Sequence, residues 1–181
     1  MSEIDILHNI LRDLGLSEDR VVFVGGLAIF FYTGVEVSKD VDFAIMTEDY
    51  ERIQGIDMWG VVKRIQCQWG FVDFLNPDSY VAGQHMGNEL IDYIKRHRSF
   101  KVDGLYIANP EVVFYTRLVI PNWGAYIRKS IRDLDAGLLR EKDRIYAGAK
   151  AIADVFGTRD LVDEHLKVLE EHVQSNFPRR L

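Results

Sequence analysis

The chain has 181 residues, 48% hydrophobic and 28% charged, with a formal net charge of −6. That combination suits one soluble globular domain with a sizeable core and excludes a disordered or collagen-like chain. The acidic balance argues against a surface that attracts nucleic acid or anionic lipid as a whole, while leaving room for a local basic groove.

Residues 2–14 read as a helix, with Ser2 as cap, Asp5 behind it, and Ile4, Leu7, Leu11 and Leu14 in one stripe. The run Val-Val-Phe-Val at 21–24 is β-branched and aromatic, as in a buried strand. Gly25 and Gly26 punctuate it, and residues 27–32 follow with helical length. A second strand-like run after Gly34 carries Asp40 and Asp42. Thr47, Glu48 and Asp49 open a short helix to about residue 54, and 55–60 reads as a connection. Residues 61–68 and 71–75 read as neighbouring strands joined near Trp69–Gly70, the second built around Asp73. With Pro77, Gly83 and Gly87, residues 76–87 read as a loop near the site, and its His85 is the one histidine worth testing.

Asp103-Gly104 between Phe100-Lys-Val and Leu105-Tyr-Ile is a two-residue hairpin signal. Asn109-Pro110 starts a helix to 119, and further helices are expected over 123–139, 141–156 and 158–174, with Gly157 breaking the last two apart. The expected architecture is α/β (α+β): a mixed twisted sheet flanked by helices over 1–109, and a helical carboxyl part over 110–181 packed on it. The single Cys67 cannot form an internal disulfide, no leader region opens the chain, and the longest apolar run, 21–35, is too short for a bilayer. A cytoplasmic protein without a membrane partner is the expectation.

Alternation along a strand puts Asp40 and Asp42 on one face, about 6.6–6.8 Å apart. Two carboxylates on an otherwise apolar strand are costly unless a cation or strong donors meet them. Singly, each feature has a plain reading: a tight turn at the glycines, solvated acids at 40 and 42, a salt-bridged acid at 73. Together they form an ordered set.

That set, Val24-Gly25-Gly26, a spacer of thirteen residues, Asp40-Val41-Asp42-Phe43 and later Val72-Asp73-Phe74, resembles the nucleotidyltransferase superfamily of polymerase-β-like fold. In the carboxyl half, Asn109-Pro110-Glu111, Arg117-Leu118 and Arg132-Asp133-Leu134-Asp135 resemble its abortive-infection and toxin–antitoxin branch. Arg117 stands where that branch usually has Lys, and Glu36 where an Arg often precedes the serine, here Ser38.

The resemblance implies transfer of a nucleoside monophosphate from an NTP to a hydroxyl acceptor (a small molecule, a protein side chain or an RNA end), with release of pyrophosphate. Asp40, Asp42 and Asp73 would hold Mg²⁺ or Mn²⁺, with Asp73 assisting deprotonation of the acceptor. Gly25, Gly26, Ser38, Lys39 and Arg117 are the expected nucleotide-binding residues, and Arg128 and Lys129 are further candidate phosphate cations. The alternative is a binding module of the same fold with little or no turnover, such as one partner of a toxin–antitoxin pair. A dinucleotide-binding domain is disfavoured, because no Gly-x-Gly-x-x-Gly follows Val24.

Overall fold

The computed structural model describes residues 1–36, 40–81 and 87–178. It is a mixed α/β structure built on one seven-stranded sheet. Helix α1 (Glu3–Asp13) opens with a reciprocal cap: the Ser2 hydroxyl accepts from the Asp5 amide, and the Asp5 carboxylate accepts from the Ser2 amide. Next come β1 (Val21–Val24), α2 (Gly25–Thr33), β2 (Val41–Ile45), α3 (Thr47–Arg52), β3 (Ile56–Met58), β4 (Val62–Cys67), β5 (Gly70–Leu75), α4 (Gly87–His97), β6 (Ser99–Val102) and β7 (Leu105–Ala108). The carboxyl part is helical: α5 (Pro110–Val119), α6 (Ile127–Asp133), α7 (Lys142–Phe156) and α8 (Arg159–Asn176), joined by short helical turns.

Across the sheet the strands run β3-β4-β5-β2-β1-β7-β6. The β2–β5 and β1–β7 pairs are parallel and the rest antiparallel. Register divides the residues into two faces, because directly paired residues stand side by side on the same face. One row crosses five strands as Ile56, Arg64, Asp73, Asp42 and Val24. The row one residue along, on the opposite face, runs Lys63, Phe74, Phe43 and Phe23. The three phenylalanines are fully buried, with ring centroids 4.4 Å apart for Phe23–Phe43 and 5.4 Å for Phe43–Phe74. They anchor the core, and their burial fixes the carboxylates on the other side.

Three local expectations change. Residues 56–58 are not a bare connection: they pair with β4 as the short edge strand β3. Residues 87–97 form a helix to which the sequence reading assigned nothing, although Leu90, Ile91 and Ile94 share its buried side. The expected helix over 123–139 is broken. Trp123–Tyr126 is a tight 3₁₀ turn, and Gly137, at φ 132°, interrupts the backbone after α6. Gly157 closes α7 in the left-handed conformation expected of it. Among the described residues no helix is long and apolar enough to cross a membrane.

Candidate active site

A cleft of about 140 Å³ opens on the carboxylate face of the sheet. Its floor is the row Arg64, Asp73, Asp42 and Val24, together with Asp40, which immediately precedes β2. Gly25 and Gly26 close one end. The opposite wall comes from two helices. Val113, Thr116, Arg117 and Ile120 form one stripe of α5 and its end, at the three- and four-residue steps of a helical face, and Tyr126, just before α6, continues into Lys129 and Arg132 on it at steps of three. Met58 and Trp59, from the β3–β4 turn, stand at the rim.

Gly25 shows why the chain needs glycine here. It has φ 67°, a left-handed backbone, and a Cβ built on it would overlap the Oδ2 of Asp42. Strand, turn and acid are thus packed directly together. Helix α2 begins at this point with no side-chain cap, so its first amides have no capping partner at the cleft.

The three acids meet here, yet in different surroundings. Asp42 receives no hydrogen bond or ion pair among the described residues. It is half-buried, and that burial, followed by the charge of the neighbouring Asp73, pushes its carboxyl up to about 7. Asp73 is buried and tied down: Arg64 Nε donates to its Oδ1 and Nη2 to its Oδ2, each at 2.7 Å. The same guanidinium lies 3.8 Å from Asp40 Oδ2 and packs over the Phe71 ring at 4.9 Å. The bond to Asp73 drives the Arg64 guanidinium further up from its already high value.

Arg64 escaped the sequence reading because the turn sits one residue earlier than expected, which moves the partner of Asp73 by two. A turn at Trp69–Gly70 would set Asp73 opposite Gln66. The observed pairing of Cys67 with Gly70 sets it opposite Arg64 instead. Tyr126, raised mainly by burial and then by Asp42, and Arg132 also line the cleft without having been singled out for it.

Arg117 reaches the cleft, but its main engagement lies behind the wall. Its Nη1 is 2.5 Å from Asp133 Oδ2 and 3.5 Å from Ser130 Oγ, with Asp133 fully buried. The two sequence blocks at 117 and 132–135 are therefore joined by an ion pair. Lys129 stays exposed on the cleft rim, 5.1 Å from the centre of the Tyr126 ring, while Arg128 lies outside the cleft. Ser38, Lys39 and His85 lie outside the described residues.

No protein-family model matches the chain, and no curated protein matches it. The site therefore rests on its own chemistry.

Its donors are hard carboxylate oxygens, which suit Mg²⁺ or Mn²⁺. Among the described residues no three acids stand in a metal-holding arrangement, and Arg64 takes both oxygens of Asp73. Asp40 and Asp42 both line the cleft, and Asp42 accepts no hydrogen bond among the described residues.

Proposed function

We propose that the chain is a metal-dependent nucleotidyltransferase, moving a nucleoside monophosphate from an NTP to a hydroxyl. The observation that carries this reading is the seating of the Gly25 backbone on the Asp42 carboxylate, within a cleft that also holds Asp40 and Asp73. Asp40 and Asp42 would hold the ion. When bound, it would screen the triphosphate and lower the pKa of the acceptor hydroxyl. The amides at the start of α2 would bind phosphate oxygens, with Lys129 and Arg132 supplying charge from the other wall. Asp73, whose oxygens accept two hydrogen bonds from Arg64, would stand beside the Asp40–Asp42 pair rather than in it.

The Arg64–Asp73 clasp also favours a second reading, in which the fold is a binding module for a partner protein and turns nothing over. Thermal unfolding with Mg²⁺ or Mn²⁺ and each NTP separates the two. A rise in melting temperature that needs metal and nucleotide together, and vanishes in Asp40→Asn and Asp42→Asn, supports the transferase. Absence of any nucleotide-dependent shift, with a protein partner that co-purifies, supports the module.

A further inference from the structure

The turn between β3 and β4 breaks a rule that the chain obeys elsewhere. Met58 pairs with Val62 across a three-residue loop, and within that loop a β-turn from Met58 to Val61 is closed by the Val61 amide donating to the Met58 carbonyl at 3.0 Å. Both central residues are left-handed, Trp59 at φ 57° and Gly60 at φ 70°. Such turns select Asn-Gly or Asp-Gly, because a β-carbon is tolerated poorly in the first position and worst when the side chain is bulky. The β6–β7 hairpin complies, with Asp103 at φ 46° and Gly104 at φ 84°. The β3–β4 hairpin puts tryptophan in the disfavoured place.

Packing does not explain it, since Trp59 is 83% exposed. The turn is nevertheless held firmly. The Gly60 amide donates to Asp57 Oδ1 at 3.0 Å, and the Gly60 carbonyl accepts from Asn76 Nδ2 at 2.8 Å and Ser79 Oγ at 2.9 Å. A strained backbone, a rigid mount and an unburied indole coincide at the mouth of the cleft that holds Asp42. Strain of this kind persists where a site uses the side chain it presents.

We propose that Trp59 is a stacking platform for a nucleobase, resting on the transferase reading of the cleft. Val61, just before β4, lies three residues from Arg64, about 10 Å at the strand rise. The turn thus lies roughly a nucleoside's length along the chain from Arg64, and Trp59 lines the same cleft as the carboxylates. Phosphate would lie between the α2 amides and Lys129, and the base would cover the exposed ring, a pairing of cation and aromatic face that suits nucleotides of any sequence.

Trp59→Asn restores the residue that the turn prefers and separates strain from use. Calorimetric binding in Mg²⁺ compares wild type, Trp59→Asn and Trp59→Phe with ATP, GTP, CTP, UTP, a short oligoribonucleotide and inorganic tripolyphosphate. Trp59→Asn melts at a higher temperature than wild type yet binds a base-bearing ligand on the order of tenfold more weakly. Its tripolyphosphate affinity is unchanged, and Trp59→Phe keeps most of the base affinity. Loss confined to the triphosphates places the donor base on Trp59; loss confined to the oligonucleotide places an acceptor end there. Equal affinity of wild type and Trp59→Asn for every base-bearing ligand overturns the platform, as does an equal loss for tripolyphosphate, and both leave the transferase reading standing. Failure of the wild-type chain to bind any of these compounds overturns both.

Discussion

Arg64 grips Asp73 with two parallel hydrogen bonds of 2.7 Å, from neighbouring strands in direct register. Two-point geometry of this kind is the strong form of an ion pair. It does more than tie β4 to β5. It supplies a positive charge beside two carboxylates that the sheet holds side by side, Asp73 and Asp42. Arg64→Met removes that charge and leaves Asp73, with only 10% of its side chain exposed, facing Asp42 unneutralised. Breaking a fully buried pair costs about 3–5 kcal/mol. The Arg64 side chain is 30% exposed, so about 2–3 kcal/mol is expected here. Urea unfolding without metal reads this directly, and millimolar Mg²⁺ should return part of the loss. An Arg64→Met chain as stable as wild type, with or without Mg²⁺, would refute the clasp as a structural element.

Asp42 predicts a pH dependence. Its carboxyl lies near 7 in the folded chain against an ordinary value of 3.8, raised by burial first and by Asp73 second. The folded state therefore holds the proton more tightly than the unfolded state does. This group's contribution to stability is complete below about pH 4 and is lost as pH rises through about 7. Asp42→Asn removes the titration. The variant should gain a few kcal/mol over wild type in metal-free buffer at pH 8, and lose that advantage by pH 4. Denaturant midpoints measured across this range test it; a constant difference between the two proteins at all pH values contradicts the assignment.

The sequence showed the division of the central sheet into two faces because the period of a strand is two. Asp42 and Phe43 are consecutive, as are Asp73 and Phe74, so the acids and the phenylalanines had to part company. What fixed the burial of Phe43 also fixed the aim of Asp42. Helices α1 and α8 were legible for a similar reason, each having a periodic apolar side, while α5 was marked by Asn109-Pro110 at its start and α7 by Gly157 at its end. Arg64 was not legible. Its role depends on where a hairpin turns, and local composition around Trp69 allowed the turn to slip by one residue. Tyr126 and Arg132 stayed hidden because their place at the cleft depends on how α6 is laid across the sheet, which no local pattern states. The pairing of Arg117 with Asp133 has the same origin: two charges sixteen positions apart, brought together by packing.

Gly25 and Gly34 offer an internal control. Both have positive φ, 67° and 75°, but a Cβ on Gly25 meets the Asp42 carboxylate whereas one on Gly34 meets nothing within 4 Å. Gly34→Ala should cost about 1–2 kcal/mol, the backbone penalty alone. Gly25→Ala carries that penalty and must also displace Asp42, so it should be clearly worse and should weaken divalent-ion binding, which Gly34→Ala leaves intact. Paired unfolding curves and Mn²⁺ titrations decide this. Equal costs for the two variants would mean that the acid has room to move away from the elbow.

Arg117 was expected to bind nucleotide, and its closest partner is instead Asp133, fully buried at 2.5 Å. The pair links α5 to α6 and so sets the helical wall of the cleft. Arg117→Met leaves a buried aspartate without its main cation, because Arg132 Nε approaches the other oxygen only to 3.6 Å from a 43% exposed position. A loss of about 3–5 kcal/mol is expected. Asp133→Leu alone should cost a similar amount by stranding the guanidinium. The double variant Arg117→Met/Asp133→Leu removes both charges from a site that already packs apolar side chains, and should be much more stable than the sum of the single losses implies. Its nucleotide affinity then divides the roles. If Arg117 acts mainly by holding α6 in place, the refolded double variant binds NTP within a few-fold of wild type; if the guanidinium touches phosphate directly, affinity falls by more than tenfold although stability is restored.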